Sequence, residues 1–404
     1  MAGAAIAASR RRAFDPAVTR LPHDERLLVG TNGSDYARQR NILSLPLERY
    51  RTVQAYDVFR LARFLLYRGL GRSDQLIENL FCDFGLNRCH LLHFFNAVSL
   101  GRTPWVTTFE TSLPRWRVST ERFVERGLRC LASPTCGRLI AMSQCAYDIQ
   151  RDRLDAVPAL REAIVGKLTV VHPPQEIFVD DVERKDSNDR ITFTLVGEDF
   201  FRKGGAEVLR VFARLIDEGQ RVRLNIVSSM VYGDYATQTS RHDLETAMQL
   251  IHKHPDAIHH YPQLPNDAVL RLLRASHVGL LPTYADTYGY SVLEAQANGC
   301  PVITTNVRAL PETNDDECGW MINLPTDAHG NARLESNQAR ACVSRLLQEQ
   351  LEAVVRTILR DPAMIKHKAR RALERLKQRH DPRTQAAKIE AIYDSVLATR
   401  GAHA

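Results

Sequence analysis

Asp286 and Glu294 stand eight residues apart in "DTYGYSVLEAQANGCPVIT" (286–304), on either side of Gly289 and directly after the apolar run "HVGLLPT" (277–283). Carboxylates flanking a glycine turn at the end of a buried strand can accept hydrogen bonds from sugar or ribose hydroxyls. Ser291 is placed to N-cap the helix "VLEAQANG", with Asn298 and Gly299 ending it ahead of Pro301. Glu294 then falls in the first helical turn, where a ribose with its two adjacent hydroxyls is the expected guest. Asp286 lies in the loop before Gly289, within reach of sugar hydroxyls. The plainer alternative is that Asp286 is a turn residue and Glu294 only complements the helix dipole.

A second loop of this kind is "GEDFFRKGG" (197–205), which follows the strand-like "ITFTLVG" and opens a helix. Arg202 and Lys203, followed by Gly204 and Gly205, bring two cations to a helix N-terminus whose free N–H groups and dipole favour an anion. A diphosphate fits there, with arginine as a planar fork and lysine as a point charge. Taken alone, the same residues serve equally well as a basic turn. No GxGxxG with a following ribose acid stands at a strand end, and no GxxxxGK[ST] occurs, so nicotinamide and P-loop readings lose their main support.

Loops that do chemistry must be held by rigid elements, and the chain alternates short apolar runs with helical patterns along most of its length. In the first half the strand candidates are 26–30, 89–95, 104–110, 138–143 and 167–174, and "ERYRTVQAYDVFRLARFLLYRGL" (48–70) reads as helix-like. The second half repeats the alternation with strands at 191–197, 223–229, 257–264, 278–283 and 301–305 and helices at 204–218, 241–253, 265–275 and 291–298. This pattern predicts an α/β fold of two doubly wound Rossmann-like domains, with ligands outside the carboxyl ends of the strands. The expected divisions are a disordered tail over 1–24, a first domain over 25–175, a linker over 176–190, a second domain over 191–375 and closing helices over 376–404.

Length agrees, because 404 residues exceed one ordinary core. Hydrophobic content of 44% with 25% charged residues is that of a globular chain, and eight scattered cysteines without paired doublets read as reduced thiols in a cytosolic protein. "MAGAAIAASRRRAF" is far shorter than the roughly 20 residues a membrane span needs, and no other segment reads as one.

The residues of 282–312, "PTYADTYGYSVLEAQANGCPVITTNVRALPE", resemble the signature of the retaining GT-B glycosyltransferases of family 4, the glycosyl transferases group 1. There an acid, a glycine turn and a second acid eight residues on precede a G-x-P-V-I strand and a loop ending in P-E. "LVGEDFFRKGG", the linker and "RDPAMIKHKARRALERL…IEAIYDSVL" extend the resemblance over about residues 90–397. It implies two domains facing a central cleft, 25–175 on the acceptor side and 191–375 binding the nucleotide sugar, with the helices of 376–404 packing back toward the first domain. It implies that Glu294 holds the nucleotide's ribose and that Asp286, where the family usually has Glu, lies by the transferred sugar. It further implies that backbone groups of Tyr288, Gly289, Tyr290 and Ser291 approach sugar and phosphates, and that the nucleobase lies near Tyr261–Leu264. Many relatives have Arg directly after the strand glycine; here Glu198 stands there, so the cationic load falls on Arg202 and Lys203.

On the acceptor side, "PWVTTFETS" aligns by pattern with the family's "TFHT", whose His contacts the donor sugar; that position is Glu110. A carboxylate there can stabilise an oxocarbenium-like centre or orient a hydroxyl, or it marks a site whose contact has changed. His93 in "LLHFFN" is a second candidate, with a structural role as its alternative.

The function implied is transfer of a sugar from a UDP- or GDP-sugar to an acceptor hydroxyl with retention, in polysaccharide, glycolipid or glycan assembly, without cofactor or metal. Alternatives are a sugar-nucleotide epimerase on the same architecture and a degenerate nucleotide-sugar-binding partner. The formal charge of +7 gathers in 113–130 and in "KHKARRALERLKQRHDPR" (366–383), which read either as solvated helix faces or as contacts to the inner face of an anionic membrane, where a glycan or lipid-linked acceptor would lie. Nucleic acid has less support, because no compact recognition motif accompanies the charge.

Overall fold

The computed structural model describes residues 26–70, 75–116, 121–180, 182 and 190–401. The expected tail over 1–24, Arg117 in the first basic stretch and most of the 176–190 linker lie outside the described residues.

The first domain is built on a parallel six-stranded sheet. Its strands are β1 (Leu27–Thr31), β2 (Tyr50–Gln54), β4 (Leu91–Phe95), β6 (Trp105–Phe109), β7 (Cys136–Ala141) and β8 (Leu168–Val170), in the order β2-β1-β4-β6-β7-β8. A short parallel ribbon of β3 (Leu80–Phe81) and β5 (Val98–Ser99) stands apart from that sheet. All five residues of β4 and of β6 are buried, as expected of central strands covered on both faces.

The helix-like reading of 48–70 is corrected. Residues Tyr50–Gln54 form an edge strand paired with β1 in the register Leu27↔Tyr50, and the helix is confined to Phe59–Leu70. The residues "YRTVQ" are aromatic and β-branched, which suits a pleated edge. Asp57 then starts the helix, its carboxylate accepting from the Phe59 N–H at 3.1 Å.

The second sheet is also parallel. It comprises β9 (Ile191–Val196), β10 (Val222–Val227), β11 (Ile258–Tyr261), β12 (Val278–Leu281), β13 (Val302–Thr305) and β14 (Trp320–Ile322), in the order β11-β10-β9-β12-β13-β14. The order reverses direction between β9 and β12, so the loops after these two strands open on one crevice. Those loops carry Arg202/Lys203 and Asp286 respectively. β14 escapes the sequence because three residues in a polar context carry no period.

Two closing helices join the domains. Helix Ala363–Arg379 lays Ala369 and Leu373 against Val179 and Val182, and Leu376 against the seam described below. Helix Pro382–Gly401 packs on the first sheet through Ala386, Ile389, Tyr393 and Val396. Glu390 fixes it to the start of β2, its Oε1 accepting from the backbone N–H groups of Glu48 and Arg49 at 2.7 and 2.8 Å.

Much of the charge of 366–383 is engaged within the molecule. Arg375 bonds Asp315 at 2.5 Å, Arg371 pairs with Glu374 and Glu317 at 2.8 and 3.3 Å, and Arg379 donates to the Glu312 carbonyl at 3.2 Å. Among the described residues no helix is long and apolar enough to cross a membrane.

Candidate active site

The two sheets face each other across an apolar seam. Ile42, Phe95 and Met142 of the first domain pack against Tyr288, Leu293, Ala297 and Ala309 of the second. Polar contacts border this seam, and Glu110, Tyr288, Tyr290 and Glu294 of the residues predicted from the sequence take part in them.

Helix Tyr290–Ala297 begins at Gly289, which adopts φ +85° and carries no capping side chain. The expected cap at Ser291 is therefore corrected: the chain reverses through left-handed backbone that only glycine takes freely, two positions earlier. Ser291 lies inside the helix, its Oγ buried and unbonded. Asn298 and the left-handed Gly299 (φ +67°) end the helix as expected.

With the helix starting at Tyr290, Glu294 falls in its second turn rather than the first as expected, and it emerges toward the first domain. Its Oε1 accepts from the Arg40 guanidinium at 2.6 Å and from the Tyr36 hydroxyl at 2.8 Å. Arg40 lies over the Tyr290 ring at 4.6 Å and donates to Gln175 Oε1 at 2.5 Å. Asn41 on the same segment donates to the Tyr290 hydroxyl at 2.7 Å. Sequence reasoning missed Tyr36, Arg40 and Asn41. The available signal was "TNGSDYARQRN", a polar turn with two arginines immediately after a first strand of the doubly wound type.

Asp286 is engaged from within its own domain. Lys203 Nζ approaches Oδ2 at 2.9 Å, and Oδ1 accepts from the backbone N–H groups of Tyr288 and Gly289 at 3.2 and 2.9 Å. Burial alone would push this carboxyl up; the Lys203 ammonium, helped by its hydrogen bond and the Tyr288 N–H, holds it below the usual carboxylate range. Asp286 thus shapes the turn and positions Lys203. The N–H groups of Tyr288 and Gly289, expected to approach phosphate, are occupied by that carboxylate.

Arg202 is anchored beside this pair. It donates to Asp199 Oδ2 at 2.7 Å and to the Ala285 carbonyl, and its own carbonyl accepts from the Tyr284 N–H at 2.9 Å. Gly204 caps helix Gly205–Asp217 with φ +77°, and a Cβ there would stand 2.1 Å from the Pro282 carbonyl oxygen. Gly204→Ala is therefore expected to lose more than about 2 kcal/mol of stability, from the left-handed strain and the clash together, read as a lower urea midpoint.

Glu110 reaches across the seam. Its carboxylate accepts from the Thr287 hydroxyl at 3.0 Å and from Asn96 Nδ2 at 3.3 Å, and it pairs with Arg115. Glu110 is thereby brought to the Asp286–Gly289 turn. A second interdomain carboxylate, Glu312, accepts from the N–H groups of Gln144 and Cys145 at 2.7 and 2.8 Å, at the start of the first-domain helix Gln144–Arg153. Tyr261 and Leu264 sit half-buried at the end of edge strand β11, the Tyr261 carbonyl accepting from the Ser228 N–H at 3.0 Å.

His93 does not join this set. It is fully buried in β4, hydrogen-bonded to the Tyr393 hydroxyl at 2.7 Å and to Thr108 Oγ1 at 2.8 Å, and so ties the last helix to the sheet. Burial lowers its pKa to about 3, and that of His380 likewise to about 3. Both residues take up protons near pH 6.5 when unfolded, but only near 3 when folded. Stability should consequently fall as pH drops from about 6.5 toward 3, by up to about 1.4 kcal/mol per pH unit for each histidine. Urea midpoints at pH 7.5 and 5 measure this, and the difference should shrink in His93→Gln.

A cavity of about 200 Å³ lies in the second domain between Phe201, Arg210, Thr239, Tyr284, Arg340 and Ser344, and none of the sequence-predicted residues lines it. Its Ser344 hydroxyl is spent on Glu207 at 2.7 Å.

Two parallel sheets with closing helices crossing back to the first, and an acid–cation set at their shared seam, define the GT-B architecture. Solved proteins of that fold align over nearly the whole chain. HepE of Anabaena, crystallised with UDP, superposes with a TM-score of 0.56 at 13% identity, covering 92% of this chain and 100% of that one. Sucrose-phosphate synthase of Thermosynechococcus elongatus superposes with a TM-score of 0.56 at 15% identity, covering 93% and 100%.

Residues 179–338 match the model of the family described as glycosyl transferases group 1. Curated relatives align over part of the chain. Glycogen synthase of Mycobacterium tuberculosis is 29% identical over 138 residues, or 34% of this chain and 28% of that protein. D-inositol 3-phosphate glycosyltransferase of Streptomyces bingchenggensis is 31% identical over 120 residues, 28% of this chain and 26% of its own. The matches thus span little more than a quarter of these relatives' lengths.

Proposed function

We propose that the protein is a retaining glycosyltransferase that moves a sugar from a nucleoside diphosphate donor to an acceptor hydroxyl, in polysaccharide, glycolipid or glycan assembly. The observation that carries this reading is Glu294, presented from the second turn of helix Tyr290–Ala297 and paired with Arg40, on the helix that follows the Lys203–Asp286 turn. A carboxylate for vicinal hydroxyls and cations for phosphate are thus carried by loops and a helix at the strand ends where a doubly wound sheet binds nucleotides. UDP in the HepE crystals, and UDP-glucose in another HepE structure of 14% identity and TM-score 0.51, favour a uridine donor over the GDP alternative.

In this account the ribose hydroxyls donate to Glu294, taking the place of Arg40 and Tyr36. Donor entry therefore displaces the 36–41 segment from Glu294, and Arg40 is released next to the phosphates. Lys203 and Arg202 neutralise the diphosphate as its bond to the anomeric carbon breaks. The acceptor oxygen bonds that carbon from the face the diphosphate leaves, and its proton departs with the diphosphate. Glu110, at the sugar end of the seam, stabilises the positive charge that develops at the anomeric carbon. Catalysis is then positioning and charge stabilisation by the chain's own groups.

Incubation of the pure protein with a panel of UDP-, GDP- and ADP-sugars, following nucleoside diphosphate release, tests the reading. Release from one donor class, with an anomeric proton coupling in the product that matches the donor's, is expected. Intact nucleotide binding with no release from any donor would replace the enzyme by a binding partner, and a new nucleotide sugar would replace it by an epimerase.

A further inference from the structure

The described surface of the first domain carries an apolar prominence that the site does not use. It is centred on Phe84–Gly85–Leu86, the turn that follows β3. Phe84 is 78% exposed and Leu86 67%, although both are large apolar residues. The turn is firmly built. The Asp83 carboxylate accepts from the Gly85 N–H at 3.0 Å and from Asn87 Nδ2 at 2.9 Å, and the Leu86 N–H donates to the Asp83 carbonyl at 3.0 Å. Exposure here is a property of a turn held by the buried Asp83.

Neighbouring elements extend the patch. Tyr56 is exposed and joined to Asn87 through two backbone hydrogen bonds of 2.7 and 2.9 Å. It precedes helix Phe59–Leu70, which exposes Phe64 and Leu65 and is pinned to the ribbon by Arg63, donating to the Leu80 carbonyl at 3.3 Å. Leu100, also exposed, follows β5 and donates its N–H to the Phe81 carbonyl at 2.9 Å.

Over 56–70 and 82–102, the segments that carry the patch, the exposed ionic residues are Arg60, Arg68, Arg88 and Arg102. The acids of the same segments, Asp57 and Asp83, are buried, Asp57 is paired with Arg63, and Glu78 between the segments is half-buried. A turn tipped by Phe and Leu on segments whose exposed charges are arginines matches a bilayer with anionic headgroups: the apolar tip enters the acyl boundary while guanidinium groups meet phosphate. A twofold contact with a second copy would instead set these arginines against each other.

We infer that the first domain docks on an anionic lipid surface through the Phe84–Leu86 turn, with Phe64 and Leu65 as a second contact. The site differs from the two basic stretches singled out in the sequence. In the 366–383 stretch Arg371 and Arg375 pair with Glu317 and Asp315 of the second domain, and in the 113–130 stretch Arg115 pairs with Glu110 and Arg129 with Glu125.

Co-sedimentation of the full chain with phosphatidylglycerol–phosphatidylcholine vesicles and with pure phosphatidylcholine vesicles tests the proposal. The expected result is binding to the anionic vesicles only, reduced by salt, and weakened about tenfold or more in the double variant Phe84→Ser/Leu86→Ser. Arg88→Glu should weaken it by a smaller factor, and both proteins should keep the wild-type unfolding midpoint and nucleotide binding. Failure of the wild type to bind, equal binding to neutral vesicles, or equal binding by the double variant would overturn it. So would a wild-type dimer that the double variant dissociates. Donor turnover is not read in this experiment, so its outcome is separate from that of the proposed transfer.

Discussion

Glu294→Ala should lower the affinity for a nucleoside diphosphate by about 10- to 100-fold, because hydrogen bonds from two ribose hydroxyls to a charged acceptor contribute about 1.5–3 kcal/mol. The same change acts on the unliganded protein. Arg40, 14% exposed, loses the carboxylate at 2.6 Å that now holds it across the seam and keeps Gln175, the Tyr36 hydroxyl and the Tyr290 ring. Glu294→Gln separates the two effects. It keeps the shape and one acceptor, so its loss should lie between wild type and alanine, with the charge-dependent part of the Arg40 contact gone. Titration calorimetry with UDP and GDP reads the affinities, and unchanged binding in both variants would remove Glu294 from the nucleotide.

Lys203→Met should reduce turnover by about 10²–10³-fold, the range seen when a preorganised charge that meets developing negative charge is deleted. It should also destabilise the fold. Asp286 is 13% exposed, and without Lys203 it keeps two backbone N–H donors but no counter-charge of its own pair. Breaking a buried pair costs about 3–5 kcal/mol, and the remaining donors place this one at the lower end. In the wild type the folded Asp286 carboxyl lies below its unfolded value, so its contribution is present at neutral pH and disappears as pH falls through the folded pKa. In Lys203→Met that acid-sensitive contribution should shrink. Lys203→Arg should recover stability more than turnover, since the fork reaches Asp286 but not the same phosphate position. A variant with wild-type turnover would show that Lys203 only props the turn.

The paired parallel sheets were legible because buried strands announce themselves as short apolar runs between amphipathic helices. "LLHFF", "WVTTF", "VGLL" and "VITT" all became fully buried strands within a residue or two of their expected limits. Edge elements were not legible: β2 is half exposed and merges in sequence with the helix after it, and β14 has three residues.

At the site, the residues that carry charge on strand-end loops could be named from spacing, whereas their partners could not. Arg40 meets Glu294 across 254 positions of chain, and Glu110 meets Thr287 across 177. Such pairings are set by how two domains close on each other, which no local pattern encodes. His93 shows the opposite failure. A histidine in an apolar strand offered chemistry in the sequence, but both of its nitrogens are satisfied inside the core.

The central claim, that Glu294 holds the nucleotide's ribose, is tested most directly by titrating wild type and Glu294→Ala with UDP and with 2′,3′-dideoxy-UDP. The account predicts that wild type loses about 10- to 100-fold in affinity for the dideoxy nucleotide, while Glu294→Ala binds the two alike. An undiminished preference for the ribose form in Glu294→Ala would contradict it.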